Sequence, residues 1–248
     1  MSRTLRRAPI KAVFFDAAGT IFEARQPIGR SYANVAREFG VDADESAVNA
    51  AFRRVFHSAP PLAFGPGRPA AELRRLERDW WRARVADTFA GLGKFTDFDA
   101  YFDKLFAFFA DPAHWRAEDE AASLFARLKE CGMVLGVISN FDARLYGILG
   151  GLGLADFFAS ITISSEAGYA KPSPRLFEAA LHRHGLAPED ALHVGDSVAL
   201  DIHGAAAAGV APILYDPRGQ ESLDGAPGCE RVSSLAAVFD IMRGTEIA

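Results

Sequence analysis

The sequence predicts an α/β fold: a Rossmann-like, doubly wound parallel sheet as the core, with an all-helical cap domain inserted after the first strand. Short apolar runs without polar alternation recur along the chain, and this pattern is typical of strands that are covered on both faces. After the first run, helix-length segments separate them, which favours a parallel sheet. The runs are Ala12–Phe15, Val134–Ile138, Ser160–Ile163, Leu192–Val194 and Pro212–Tyr215.

The segments around the later runs carry apolar residues at helical spacing. Glu118–Lys129 precedes the second run, and Pro174–His184 and Ala199–Ala208 lie between later ones. A stretch rich in glycine, proline and acidic residues at 217–228 predicts a surface loop, and a last helix is expected around Ser234–Met242. This alternation of strand and helix is the pattern of a doubly wound sheet.

The segment at 21–115 differs from the rest of the chain, because it has helical patterns and no convincing strand. We expect residues 1–20 and 116–248 to form the core and residues 21–115 to form the cap. Such a block would lie above the carboxyl ends of the strands, where open α/β sheets bind ligands. Its many phenylalanines are interpreted as a helix–helix core. The predicted helices are Arg30–Phe39, Glu45–Phe56, Ala70–Phe89 and Asp97–Phe109.

Composition narrows the class of protein. The chain has 248 residues, of which 50% are hydrophobic and 24% charged, so we expect one large domain or a core with a smaller one. A net charge of −5 argues against nucleic acid as a partner. No apolar run approaches the roughly 18 residues of a membrane helix. Cys131 and Cys229 lack metal-ligand spacing, which favours free thiols in a reducing cytoplasm. We expect a monomer or a homodimer.

Polar residues follow four of the predicted strands in order. They are Asp16; Ser139-Asn140; Lys171-Pro172; and Gly195-Asp196-Ser197 with Asp201. Parallel strands point their carboxyl ends to the same edge, so these residues are expected to meet in one cleft. Taken singly, each has a plainer interpretation as a helix cap or a turn.

The chemistry of these residues is mutually consistent. The Asp16 carboxylate can act as a covalent nucleophile, and Lys171 supplies a compact positive charge for a phosphoryl oxygen. Asp16 and Asp196 together suit Mg²⁺, which binds oxygen ligands and reduces the repulsion between a carboxylate and an anionic phosphate. The sequence therefore predicts a phosphorylated small molecule as the substrate and magnesium as the cofactor.

As a set, these motifs resemble those of the haloacid dehalogenase superfamily. The runs Ile138–Leu145 and Gly147–Leu154 are similar to its haloacid dehalogenase-like hydrolase domain-containing group. The resemblance implies a hydrolase with Asp16 as nucleophile, phosphate binding by Ser139, Asn140 and Lys171, and Mg²⁺ binding by Asp16, Asp196 and the backbone carbonyl of Ala18. It leaves Asp201 as an outer carboxylate that orients metal-bound water or Lys171.

Ala18 departs from the superfamily pattern, because its phosphatases usually carry a second aspartate there as general acid. Several alternatives follow. Another side chain could supply the proton; the candidates are Glu23, His57, Asp142, Glu166 and Tyr169. The chemistry could instead resemble that of phosphonoacetaldehyde hydrolase, with Lys94 or Lys104 forming a Schiff base, or that of a dehalogenase. The chain could also be a catalytically weak binding or interaction protein.

Overall fold

Six parallel strands form the main sheet of the structure, a computed structural model that describes residues 10–223, 225 and 228–247. The strands in chain order are β1 (Ala12–Phe15), β2 (Phe22–Ala24), β3 (Trp115–Ala117), β4 (Val134–Ser139), β5 (Ser160–Ile163), β6 (Ala191–Gly195), β7 (Ala211–Tyr215) and β8 (Glu230–Val232). The main sheet has the order β5-β4-β1-β6-β7-β8. The chain leaves the central β1 toward β4 on one side and later returns to β6 on the other. Such a switch of direction opens a crevice at the carboxyl ends of the strands.

The register places the strand ends side by side. Phe15, the last residue of β1, pairs with Val137 of β4 and with Val194 of β6. Ser139, the last residue of β4, pairs with Ile163 at the end of β5. The residues that follow these strands therefore emerge at one edge of the sheet.

Helices cover both faces of the sheet. Alternate residues of β1 point to opposite faces: Phe15 packs in the cluster that contains Leu128 and Ile148, whereas Phe14 packs in the cluster that contains Phe177 and Ala205. This burial on both faces explains why the strands read as continuous apolar runs. The helices in chain order are α1 (Ile28–Arg37), α2 (Glu45–His57), α3 (Ala70–Phe89), α4 (Phe98–Phe108), α5 (Ala121–Glu130), α6 (Arg144–Gly151), α7 (Ser164–Ala167), α8 (Pro174–His184), α9 (His203–Ala207) and α10 (Ala236–Ile247).

Helices α1–α4 form a separate cluster between β2 and β3. Its aromatic side chains pack on one another; the Phe89 and Tyr101 ring centroids, for example, are 5.4 Å apart. The phenylalanines of this block contribute to the helix–helix core, as the sequence indicated. We call α1–α4 and their connecting loops, residues 25–114, the helical block.

The structure differs from the sequence-based prediction at the edges of this block. We predicted no strand between residues 21 and 115, yet β2 lies there and pairs antiparallel with β3, which begins at Trp115. Three-residue strands are too short for a periodic pattern to reveal them. β8 was not predicted either, since only Val232 of its three residues is buried.

The helix predicted at Ala199–Ala208 also differs. It is divided into one turn of π-helix at Val198–Ile202 and the short α9. Residues 1–9, 224, 226, 227 and 248 of the predicted core lie outside the described part of the chain. Within the described residues, no helix is both long and apolar enough to cross a membrane.

Candidate active site

Asp16 lies at the centre of the carboxyl edge of the sheet, in the loop that follows β1. Its N–H donates to the carbonyl of Val194 on β6 at 2.8 Å, and the residue is only 6% exposed. The chain turns immediately, because the Ala17 carbonyl accepts from the N–H groups of residues 20–22. Strand and turn together fix the carboxylate at the switch point of the sheet.

Lys171 lies between two carboxylates. Its Nζ is 2.5 Å from Oδ1 of Asp16 and 2.6 Å from Oδ1 of Asp201, and its side chain is 2% exposed. A buried ammonium is costly unless it is paired and hydrogen-bonded, and both conditions are met here. Because Lys171 bonds Oδ1 of Asp16, the other carboxylate oxygen, Oδ2, is left for chemistry.

Asn140 fixes the backbone of Lys171. Its Nδ2 donates to the Lys171 carbonyl at 3.1 Å, and its Oδ1 accepts from the Lys171 N–H at 2.8 Å. Both polar atoms of the amide are thus engaged with the main chain, so the side chain positions Lys171. Ser139 is 3% exposed at the end of β4, one residue before this contact. The structure brings both residues to the edge that holds Asp16.

Two glycines permit the close approach of Asp196 and Asp201. A Cβ at Gly19 would lie 2.3 Å from Oδ2 of Asp196, and a Cβ at Gly195 would lie 2.2 Å from Cγ of Asp201. Gly19 also has a φ of 97°, which disfavours other residues. Glycine is therefore required at both positions for the carboxylates to reach Asp16.

Crowding of like charges shifts the pKa values in this group. Burial and the charges of Asp16 and Asp201 raise the pKa of Asp196 to about 7. Burial raises the pKa of Asp16 despite the opposing effect of Lys171. Burial acts in the same direction on Asp201, but the charge of Lys171 and the hydrogen bond from His193 outweigh it and lower its pKa to about 2. The two carboxylates raise the pKa of Lys171 against the effect of its burial.

The donor set fits a small divalent cation. Asp16, Asp196 and Asp201 each offer an oxygen, and these oxygens lie within 4.8 Å of one another. Carboxylate and carbonyl oxygens are the ligands that Mg²⁺ prefers. Asp201 is already engaged, since Oδ1 accepts from Lys171 and His193 and Oδ2 from the Ser197 N–H at 3.1 Å. Asp16 and Asp196 are thus the carboxylates that would hold the ion, whereas binding by the Ala18 carbonyl stays a prediction.

Ala18 is half-buried and packs against the main hydrophobic core. Among the candidate proton donors, Glu23 shares a cleft of about 400 Å³ with Gly19 and Asp196. Its carboxylate is paired with Arg116 across β2 and β3 and lies 3.7 Å from Arg218. The Glu23 carboxylate is therefore already engaged with two arginines.

The other candidates are engaged or lie elsewhere. Asp142 is fully buried and holds the Arg144 guanidinium at 2.6 Å. Glu166 accepts from the Tyr146 hydroxyl at 2.7 Å, Tyr169 lies beside Arg175, and His57 is exposed at the end of α2. None of these four lines the cleft beside Asp196.

Sequence reasoning missed the contacts that hold the helical block on the core. The Trp81 indole of α3 donates to Oδ2 of Asp142 at 2.5 Å, and Arg144 stacks over the Trp81 ring. Glu77 of the same helix accepts from the Ala143 N–H at 3.3 Å. Asp142 follows Ser139 and Asn140 in the loop after β4, so the helical block is attached to a loop of the site.

His193 was also missed. It is fully buried on β6, and its Nε2 lies 2.9 Å from Oδ1 of Asp201. The available signal was a histidine inside an otherwise apolar strand, two residues before Gly195.

Comparison with known proteins gives the family of the chain. Residues 10–209 match the family model of haloacid dehalogenase-like hydrolases. The match covers most of the chain, which therefore belongs to this hydrolase family.

The relatives align over different shares of the chain. Haloacid dehalogenase-like hydrolase domain-containing protein 3 from Homo sapiens is 32% identical over 251 aligned residues, covering 96% of this chain and 97% of that protein. A phosphoserine phosphatase from Thermus thermophilus is 38% identical over 136 residues, 54% of each chain. The magnesium-bound HAD-hydrolase YfnB from Bacillus subtilis has a TM-score of 0.73 at 19% identity, covering 95% of this chain and 99% of that one, and so shares the fold.

Proposed function

We propose that the chain is a Mg²⁺-dependent phosphatase that acts on a small phosphorylated compound through an aspartyl-phosphate at Asp16. The observation that carries this proposal is the contact of Lys171 with both Asp16 and Asp201, beside the carboxylate of Asp196. A buried nucleophile next to a fixed cation and a carboxylate pair suits an anionic substrate that arrives with a metal ion. The phosphoserine phosphatase relative supports the same reaction class.

The proposed reaction has two steps, in which Asp16 and Lys171 have different roles. Oδ2 of Asp16 attacks phosphorus, the bond from phosphorus to the leaving oxygen breaks, and the phosphoryl group stays on Asp16. Water then attacks phosphorus, which releases inorganic phosphate and restores the carboxylate. Lys171 holds Oδ1 of Asp16 and offers charge to the phosphoryl oxygens. A bound Mg²⁺ ion would offset the repulsion between the carboxylate and the phosphate.

Ala18 determines which substrates react well. A methyl side chain cannot protonate the leaving oxygen, and a positioned acid typically contributes about 10²–10⁴ in rate. The leaving group therefore takes its proton from water. Esters with acidic leaving groups, such as p-nitrophenol, should react faster than alkyl esters.

The alternatives have less support in the structure. Lys104 is paired with Glu38 at the surface of the helical block, and Lys94 is exposed, so neither is a buried amine suited to a Schiff base. A dehalogenase needs no metal ligand. Here Asp196 lies against Gly19 in the loop of Asp16, and an additional carboxylate at this place favours a metal-dependent reaction. A pure binding module does not require a buried nucleophile paired with lysine.

We further propose that residues 21–115, which contain the helical block, act as a cap over the site. The contacts of Trp81 and Glu77 with the loop after β4 support this role, because they attach α3 beside Ser139 and Asn140. A cap in this position excludes water and limits the size of the substrate.

Turnover of p-nitrophenyl phosphate tests the proposal. We expect hydrolysis that needs Mg²⁺ and disappears in Asp16→Asn. Asp190→Asn is the matched control, because Asp190 is also a buried aspartate but precedes β6, at the opposite edge of the sheet. Turnover without Mg²⁺, or turnover that survives in Asp16→Asn, would exclude this mechanism.

A further inference from the structure

His193 is a buried polar residue that the proposed mechanism does not use. It is 0% exposed in the middle of β6, between the apolar Leu192 and Val194. Its ring packs edge-on against Phe177 of α8, with centroids 5.0 Å apart. An apolar side chain would fill this position at a lower desolvation cost.

The two ring nitrogens differ in their surroundings. Nε2 lies 2.9 Å from Oδ1 of Asp201, whereas Nδ1 is buried without a hydrogen-bond partner among the described residues. A buried polar atom without a hydrogen-bond partner lowers the stability of the folded state, so packing alone does not explain a histidine here. What the histidine provides at this position is therefore the bond from Nε2.

The proton on Nε2 follows from the chemistry of its partner. The Asp201 carboxylate accepts from Lys171 and from Ser197 and has no proton to donate, so Nε2–H is the donor. The hydrogen bond to Asp201 therefore requires a proton on Nε2.

These bonds form one buried chain: Nε2 of His193 to Asp201, Asp201 to Nζ of Lys171, and Nζ to Asp16. Oδ1 of Asp201 accepts from both His193 and Lys171, so rotation of the carboxylate would break both bonds together. The Ser197 N–H restrains the other oxygen.

We propose that His193 is a positioning residue whose Nε2–H holds the Asp201 carboxylate in the orientation that delivers the Lys171 ammonium to Asp16. This inference rests on the proposed function, since it assigns His193 to the same reaction. It differs from a packing role, which any side chain of similar volume could fill.

Glutamine and asparagine variants separate the two roles. The amide nitrogen of glutamine reaches about the position of Nε2, whereas that of asparagine reaches about the position of Nδ1. We expect His193→Asn and His193→Leu to lower kcat for p-nitrophenyl phosphate by about 10–100-fold, the range for loss of a partner that orients an active-site ligand. His193→Gln should recover most of this loss.

His184→Gln is the matched control. This histidine also bonds through Nε2, to Ser160 Oγ at 2.8 Å, and its ring lies 6.2 Å from that of Phe14, remote from Asp201. Its kcat should stay at the wild-type value. Equal kcat values in His193→Gln and His193→Asn, with folding confirmed by thermal melting, would overturn the inference.

Nuclear magnetic resonance of the imidazole nitrogens provides a test that does not need turnover. The chain has six histidines, and the signals that disappear in His193→Gln identify those of His193. We expect a protonated Nε2 whose signal shifts in Asp201→Asn. An Nε2 without a proton, or no response to Asp201→Asn, would refute the positioning role. Wild-type inactivity alone would instead refute the proposed phosphatase.

Discussion

The side chains around Asp16 have distinct tasks that their contacts define. Lys171 is held at both ends, since Asn140 bonds its backbone and two carboxylates bond its ammonium. Asp196 is left facing the cleft beside Gly19. The methyl group of Ala18 adds neither acid nor base to this arrangement. The proposed enzyme therefore has its nucleophile, its cation and its metal ligands in place but no proton donor at position 18.

Ala18→Asp tests the consequence directly. If the missing acid limits the rate, the variant should hydrolyse alkyl phosphates faster, by a factor approaching about 10², the lower end of what a positioned acid–base group contributes. Ala18→Asn is the matched control, because it has the same size but no proton to give. Steady-state kinetics with an alkyl phosphate and with p-nitrophenyl phosphate measure the effect. A gain in both variants, or in neither, would contradict this view of position 18.

The site residues that sequence predicted are those whose position follows from topology. Asp16, Ser139 and Asp196 end or follow strands of one parallel sheet, so their meeting at one edge required only the strand assignments. The position of Asn140 at this edge was predicted in the same way, but the bonds of its amide and the contact of the His193 ring were beyond such reasoning. Their partners, Lys171 and Asp201, are set by side-chain geometry that no spacing along the chain encodes.

Helix α3 is the element that connects the helical block to the site. Trp81 and Asp142 are 61 residues apart in sequence, yet they share a short hydrogen bond. Glu77, one turn earlier on the same helix, is 4% exposed and accepts from the Ala143 N–H. Periodicity predicted α3 itself but could not show which of its faces would meet the core.

Glu77 gives this contact a pH dependence. Burial and the charge of Asp142 raise the pKa of Glu77, so the folded state binds a proton more tightly than the unfolded chain. Its contribution to stability is complete below the ordinary glutamate pKa of about 4.3 and is lost as the pH rises through the raised value. Glu77→Gln should thus be more stable than wild type at neutral pH, and the difference should close at acidic pH.

Thermal melting across this pH range measures the difference. Glu72→Gln is the control on the same helix, because Glu72 forms a surface pair with Arg68 and should gain nothing at neutral pH. A difference between Glu77→Gln and wild type that is independent of pH would show that Glu77 does not titrate as this contact implies.

The whole molecule is expected to respond to the metal, since three carboxylates lie within reach of one another at the centre of its sheet. Mg²⁺ binding to the folded state alone would add about 2.7 kcal/mol of stability at a concentration 100 times Kd. Thermal melting should show this as a rise in Tm that Asp196→Asn abolishes.

Asp216→Asn is the control for that rise. Asp216 lines the same cleft, but its oxygens accept from the N–H groups of Gln220 and Glu221. The variant should keep the response to Mg²⁺. A Tm that does not change with Mg²⁺ in the wild-type protein would argue against a metal site at Asp196.

The parallel sheet and the run of helices after its first strand were predictable, because strands and helices have different hydrophobic patterns. The join between them was not. β2 and β3 are three residues each and meet 93 residues apart at Glu23 and Arg116, so only the folded chain shows them as one ribbon.

The most direct measurement of the central claim is acid quenching of the enzyme during turnover of p-nitrophenyl phosphate with Mg²⁺, followed by peptide mass analysis. A covalent intermediate predicts one phosphoryl group on the peptide that contains Asp16, and none in Asp16→Asn. A phosphoryl group on another residue, or turnover without any labelled peptide, would contradict the proposal that Asp16 is the nucleophile.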